Sequence, residues 1–211
     1  VLPYVVVTLV ATLALVAGEW KDIALVRWIS KPVASSGFLL TAFAAGAWSS
    51  PYGRVLLVAL AFCLVGDLFL LPASKMSFSA GLGSFLAGHA MFAAAFFARG
   101  VDRRWIAVAL AVLLPTAFLV IRWLSPHLRG PMRIAVPVYV FAIVAMGSAA
   151  AGTFGAAGDS RILAGAILFQ LSDLAVARNR FIQPAAINRV VGLPLYYAAQ
   201  LLLAASVASR V

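Results

Sequence analysis

The chain has 211 residues, of which 64% are hydrophobic and 10% charged, and its mean hydropathy is +1.06. Soluble domains carry about 25% charged residues, so a water-exposed globule of this composition lacks the polar surface to cover itself. The net charge of +10 does not point to nucleic acid, because the basic residues punctuate apolar runs as helix-flanking anchors do and no recognition motif accompanies them.

Eight apolar segments follow one another, approximately Leu2–Ala17, Val33–Trp48, Val55–Leu71, Phe78–Ala98, Trp105–Ile121, Ile134–Thr153, Ile162–Ala177 and Val190–Ser209. Each approaches the ~20 residues that a helix needs to span a bilayer. Short breaks such as Ser49-Ser50-Pro51, Leu71-Pro72-Ala73-Ser74 and Ser125-Pro126 separate them, and turn-forming residues are what such breaks require. The first segment lacks a preceding basic stretch and reads as a span rather than a signal peptide. The segments are continuously apolar and do not alternate, which favours helices over a β-barrel. The expected fold is therefore all-α, a single polytopic bundle of about eight transmembrane helices. A multi-pass protein of a bacterial inner membrane, surrounded by membrane lipids, is the corresponding localisation.

Small residues set the expected packing. Ser84 and Gly88 lie four apart on the fourth segment, so a neighbouring backbone can come close there. Cys63 is alone in an apolar run and reads as a small buried hydrophobe. For orientation, the odd-numbered loops hold ten Lys and Arg, whereas the even loops and C-terminal end hold six (Arg54, Arg99, Arg103, Arg104, Arg161, Arg210). The positive-inside rule then places the odd loops in the cytoplasm.

Three ionisable residues fall inside apolar segments: Asp67, His89 and Asp173. A charge at the centre of a span costs at least ~2.5–3.5 kcal/mol, so such residues usually face a cavity and act there. The third and seventh segments run in the same direction, and each aspartate precedes its segment's end by four residues. Both carboxyls are thus expected about 6 Å inside the odd-loop face. Lys31 opens the second segment at that face, and Asn179 and Arg180 close the seventh. Each aspartate also has a structural reading, as a hydrogen bond between helices or a counter-charge to Lys31 or Arg180. His89 has one as an interhelical hydrogen-bonding residue. The stripe Phe85, His89, Phe92, Phe96 reads first as packing, and Arg178 and Arg189 as headgroup anchors. A faint repeat, Gly66-Asp67-Leu68 against Ser172-Asp173-Leu174, raises the expectation of two parallel four-helix halves.

These motifs resemble the YhhN-like family of membrane lysoplasmalogenases. The resemblance rests on Lys31-Pro32, on Gly66-Asp67 with Leu70, and on Phe78 to His89 as FSAGLGSFLAGH. It continues through Ser172-Asp173 to Asn179-Arg180-Phe181, covering residues 31 to 181. One departure is Phe92, where a Tyr is expected after the His.

The resemblance implies hydrolysis of the vinyl ether bond of a lysophospholipid-like substrate, releasing a fatty aldehyde and a glycerophospho-alcohol. Vinyl ethers open by protonation of the alkenyl carbon, which leaves an oxocarbenium-like cation for water to capture. That chemistry asks for one carboxylic acid and one carboxylate, and Asp67 and Asp173 in a shared low-dielectric site can fill both roles. His89 would orient water or relay protons. Lys31 and Arg180 would hold the phosphate, with Asn179 beside them, and no cofactor or metal is called for. The alternatives are a small proton-coupled carrier, or a hydrolase of another lysolipid.

Overall fold

A computed structural model describes residues 1–208. Ser209, the end of the eighth expected span, and Arg210, counted for orientation, lie outside the described residues. Eight helices run in chain order: α1 Leu2–Trp20, α2 Ala24–Ala44, α3 Pro51–Phe69, α4 Lys75–Arg99, α5 Arg103–Leu124, α6 Met132–Ala157, α7 Ser160–Ala177 and α8 Ala186–Ala205. No strand occurs among the described residues.

Side-chain caps explain half of the helix starts. Ser50, Ser74, Asp102 and Asp159 each accept a backbone N–H of the helix they open, at α3, α4, α5 and α7, which satisfies donors the first turn leaves unpaired. Gly158 ends α6 with a left-handed φ of 70°, a conformation glycine adopts without a steric penalty. Among the described residues, seven helices are long and apolar enough to cross a membrane. The eighth, α2, is 21 residues long and carries Arg27 and Lys31 in its first two turns. The chain is an integral, multi-pass membrane protein.

The second helix departs from expectation. It begins at Ala24, nine residues before the apolar run at Val33, and continues through Pro32. Lys31 therefore does not open this helix but lies two turns inside it. Proline removes one N–H and its ring crowds the preceding turn, yet a packed helix in a membrane tolerates this because neighbouring helices support it. Pro137 occupies a comparable place in α6.

Helices adjacent in sequence pair closely: α1 with α2, α3 with α4, α5 with α6 and α7 with α8. Across the bundle α2 meets α3 and α8, and α6 meets α7 and α4. The neighbour relations of α1–α4 thus recur in α5–α8, as two parallel halves would have them. The halves differ at the rim. Helix α1 also packs on α8, whereas α5 buries only Ala117 and Leu124 and presents its other faces outward.

The small residues act where expected. A Cβ on Gly88 would lie 3.2 Å from Cys63 Sγ and 3.4 Å from the carbonyl oxygen of Ala59. Ser84 Oγ donates to the carbonyl of Phe62 at 2.6 Å. The tightest approach against backbone is at Gly53, where a Cβ would stand 2.1 Å from the Ala47 carbonyl oxygen. Gly53→Ala should lower stability by about 1–3 kcal/mol, the usual range for overpacking. Gly83→Ala should be tolerated, since nothing lies within 4 Å of that site. Thermal unfolding of the two variants in detergent, compared with the parent, checks the contrast.

Candidate active site

Asp67 and Asp173 line one cavity of about 510 Å³. Helices α3 and α7 contribute one carboxyl each, and the lining residues of all helices come from the halves nearest the odd-numbered loops. One wall is apolar, built by Phe78 and Leu82 of α4, Val120 and Leu124 of α5, and Val140 and Ile143 of α6. Lys31, Asp67 and Tyr196 add polar groups to the lining. Glu19, Arg27, Arg180 and Arg189 stand at its rim, where the α1–α2 and α7–α8 turns meet it.

Asp67 is held by donors from two helices. Its Oδ2 accepts from Ser35 Oγ of α2 at 2.7 Å and from Tyr196 OH of α8 at 2.8 Å, and Lys31 Nζ lies 3.4 Å from Oδ1. The Tyr197 hydroxyl lies 3.2 Å from Ser35 Oγ and 3.4 Å from the Lys31 carbonyl, so it supports the serine from behind. Three donors on one buried carboxyl replace the water it has lost.

Asp173 has a different environment. Tyr139 OH of α6 donates to its Oδ1 at 3.2 Å, and His89 Nε2 of α4 lies 3.2 Å from its Oδ2 without the alignment of a hydrogen bond. The arrangement is crosswise. Each aspartate stands on the third helix of one half and meets the second helix of that half and the fourth helix of the other. This is the geometric content of the short repeat around Asp67 and Asp173.

His89 does not reach the cavity as expected. Its ring is fully buried behind Asp173, 4.4 Å from the Phe169 ring and 5.1 Å from Tyr139. The physical reason is the aromatic cage of Phe85, Phe169 and Tyr139, which fills the space between imidazole and cavity. Phe92 is fully buried against Phe169. Hydroxyls do reach the two aspartates, from Tyr139 and Tyr196. Sequence reasoning passed over Ser35, Tyr139, Tyr196 and Tyr197. Their signal was a hydroxyl deep in an apolar helix, a group that must find a partner once buried.

The remaining expected residues divide. Arg180 lines the cavity at its exposed edge and lays its guanidinium over the Phe78 ring, 4.2 Å from the centroid. Asn179 also lines it, but its Oδ1 accepts from the backbone N–H of Ala185 at 3.0 Å and so braces the α7–α8 turn. Arg178 does not reach outward as a headgroup anchor. It donates to Asn188 Oδ1 at 2.5 Å and to Gln183 Oε1 at 2.9 Å, because the five-residue π turn Arg178–Ile182 directs it across the loop. Arg189 is drawn to Glu19, with Nε 2.7 Å from Oε2, and Arg27 reaches Glu19 and Asp22. Among the described residues no three His, Cys, Asp or Glu side chains come together as a metal site.

The Lys31–Asp67 contact generates a stability test. Lys31→Met leaves a buried carboxyl without its cation, a loss of at least about 1–3 kcal/mol. Adding Asp67→Asn to that variant should recover part of the loss, because the uncompensated charge is removed. Thermal unfolding of the single and double variants measures this; strict additivity would contradict a direct coupling.

Residues 26–207 match the sequence profile of the YhhN family. The chain is 35% identical over 185 residues to the lysoplasmalogenase TMEM86A of Bos taurus, covering 85% of this chain and 72% of that protein. It is 32% identical to lysoplasmalogenase TMEM86A of Homo sapiens, with the same two coverages. Identity to lysoplasmalogenase TMEM86B of Sus scrofa is 32%, with 83% and 72% covered. No solved structure shows a significant match. A family profile that spans nearly all of α2 to α8, together with relatives at this identity over 72% of their length, makes this chain a member of the YhhN family.

Proposed function

We propose that this protein is a membrane-embedded hydrolase that opens the vinyl ether bond of lysoplasmalogens, working in a bacterial inner membrane. The observation that supports the reading best is the convergence of two carboxyls, Asp67 and Asp173, on one cavity that is apolar on one side and cationic at its rim. Such a cavity fits a single-chain lipid. The alkenyl chain lies along Phe78, Leu82 and the α5–α6 wall, the ether oxygen comes between the two aspartates, and the phosphate stays at the mouth. The relatives' names carry the same activity.

The chemistry follows from the substrate. The alkenyl carbon is a weak base, and its protonation is the hard step. A carboxylic acid placed against it supplies the proton, while a carboxylate nearby stabilises the oxocarbenium-like cation and aims a water at it. Lys31 is close enough to Asp67 to serve that carboxyl first, with its other N–H groups available to a phosphate. Arg180 is free to move from the Phe78 ring and is the stronger candidate for the headgroup, with the amide of Asn179 beside it. A carrier would need its carboxyls open to both membrane faces. Here the lining lies toward the odd-numbered loops and reaches no farther than mid-helix, at Ile143, Phe169 and Tyr196, which favours an enzyme that takes substrate from one leaflet.

Purified protein incubated with a panel of lysolipids should release aldehyde from 1-alkenyl lysophospholipids and leave acyl and alkyl analogues intact. Asp67→Asn and Asp173→Asn should each lose about 10²–10⁴-fold in turnover while remaining folded, since Asn can neither ionise nor donate a useful proton. Either variant retaining near-full hydrolysis removes that residue from the mechanism. Arg180→Met should raise KM about 10- to 100-fold with little change in kcat, the effect of losing a charge-assisted contact of about 1.5–3 kcal/mol made equally in ground and transition states. Collapse of kcat at constant KM would instead assign Arg180 to the chemistry.

A further inference from the structure

The hydrogen-bond inventory distinguishes the two aspartates. His89 Nδ1 lies 2.8 Å from the carbonyl oxygen of Phe85. A carbonyl only accepts, so Nδ1 carries a proton and donates it there. In the neutral ring Nε2 is then a lone pair. That lone pair sits 3.2 Å from Asp173 Oδ2, which in the carboxylate is also an acceptor. Both atoms are buried and neither has another hydrogen-bond partner. Two buried acceptors this close in a low-dielectric site repel, and a proton on Asp173, with a small turn of its carboxyl into line with Nε2, turns the contact attractive. Asp67 presents the opposite arrangement, since Ser35, Tyr196 and Lys31 all bring donors. A proton on Asp67 Oδ1 would point at the ammonium of Lys31, donor against donor.

We infer that Asp173 is the proton donor of the reaction, that His89 is the positioning residue that keeps its proton in place, and that Asp67 enters the reaction as a carboxylate. This assignment rests on the lysoplasmalogenase reading above and adds the division of labour to it. Asp173 transfers its proton to the alkenyl carbon two bonds from the ether oxygen. The π pair forms the new C–H bond and leaves the oxocarbenium carbon, which the Asp67 carboxylate faces across the cavity. Water adds to that carbon and its proton passes to Asp67. In the collapse of the hemiacetal the bond to the glycerol oxygen breaks and that oxygen takes the proton from Asp67. The hemiacetal hydroxyl returns its proton to Asp173, and aldehyde and alcohol leave with the site restored.

The groups facing His89 are few. Helix α7 brings Asp173, α6 brings Tyr139, and α3 brings the Cys63 thiol that packs against Gly88. From α8 the Tyr196 hydroxyl is directed to Asp67. Among the described residues no Lys or Arg forms an ion pair with Asp173. The pair therefore shares its proton without a competing cation.

Nitrogen-15 NMR of histidine-labelled protein in detergent tests the assignment without turnover. The sequence has two histidines, so His127→Gln identifies the His89 signals. The expected result is an Nδ1 that stays protonated and an Nε2 whose titration moves by about one pH unit or more in Asp173→Asn, the strength at which two sites titrate as a pair. Asp67→Asn should leave it in place. A neutral ring carrying its proton on Nε2, or an Nε2 that responds equally to both substitutions, overturns the proposal. Kinetically, His89→Gln should lose roughly 10- to 100-fold in kcat, less than the acid itself, and shift the alkaline limb of the kcat/KM profile while KM holds. A lower unfolding temperature with an unmoved profile would mark His89 as structural and overturn its role. Aldehyde release by the unsubstituted protein is the separate control. Its failure would remove the hydrolysis reading, whereas the NMR result reports on the shared proton by itself.

Discussion

The site depends on the need to satisfy two carboxyls inside a bundle that the bilayer keeps dry. An unpartnered charge there costs several kcal/mol, and the protein meets the need twice with different chemistry. Asp67 is surrounded by a serine, a tyrosine and a lysine, while Asp173 meets a tyrosine and a histidine. Each solution requires side chains from helices far apart in sequence. Through these contacts the aspartates link α3 to α2 and α8, and α7 to α6 and α4.

That crosswise arrangement explains how a short repeat can build an asymmetric site. The same position on the third helix of each half supplies a carboxyl, and the neighbouring helices determine what kind of carboxyl it is. Where the partner helix offers Lys31 the carboxyl faces donors only. Where it offers His89, held from behind by the Phe85 carbonyl, the carboxyl faces a ring nitrogen and a tyrosine hydroxyl. An acid and a carboxylate in one cavity are what the proposed two-carboxyl hydrolysis requires.

Much of this was legible in the sequence because the bilayer imposes simple rules. Length and hydropathy gave the helices, and Asp67 and Asp173 stood out by being charged where charge is costly. The start of α2 was not legible, since Lys31-Pro32 resembles a break and only the packing of α2 on α1, α3 and α8 shows why the helix continues. The partners of the aspartates were also hidden. Tyr139 and Tyr196 look like ordinary aromatic packing residues in one dimension, and what ties them to the aspartates is a hydroxyl aimed across a helix interface. His89 was found but placed too near the cavity, because periodicity assigns a face to a residue and not the layer behind Phe85 and Phe169.

Protonation at carbon is the central step of the account, and isotopic labelling of the product reads it directly. Hydrolysis of a 1-alkenyl lysophospholipid in D₂O should yield aldehyde carrying one deuterium on the carbon next to the carbonyl, with the glycerol oxygen retained in the alcohol. Aldehyde formed without that deuterium would mean that the alkenyl carbon never takes a proton from the site, and would contradict the two-carboxyl mechanism.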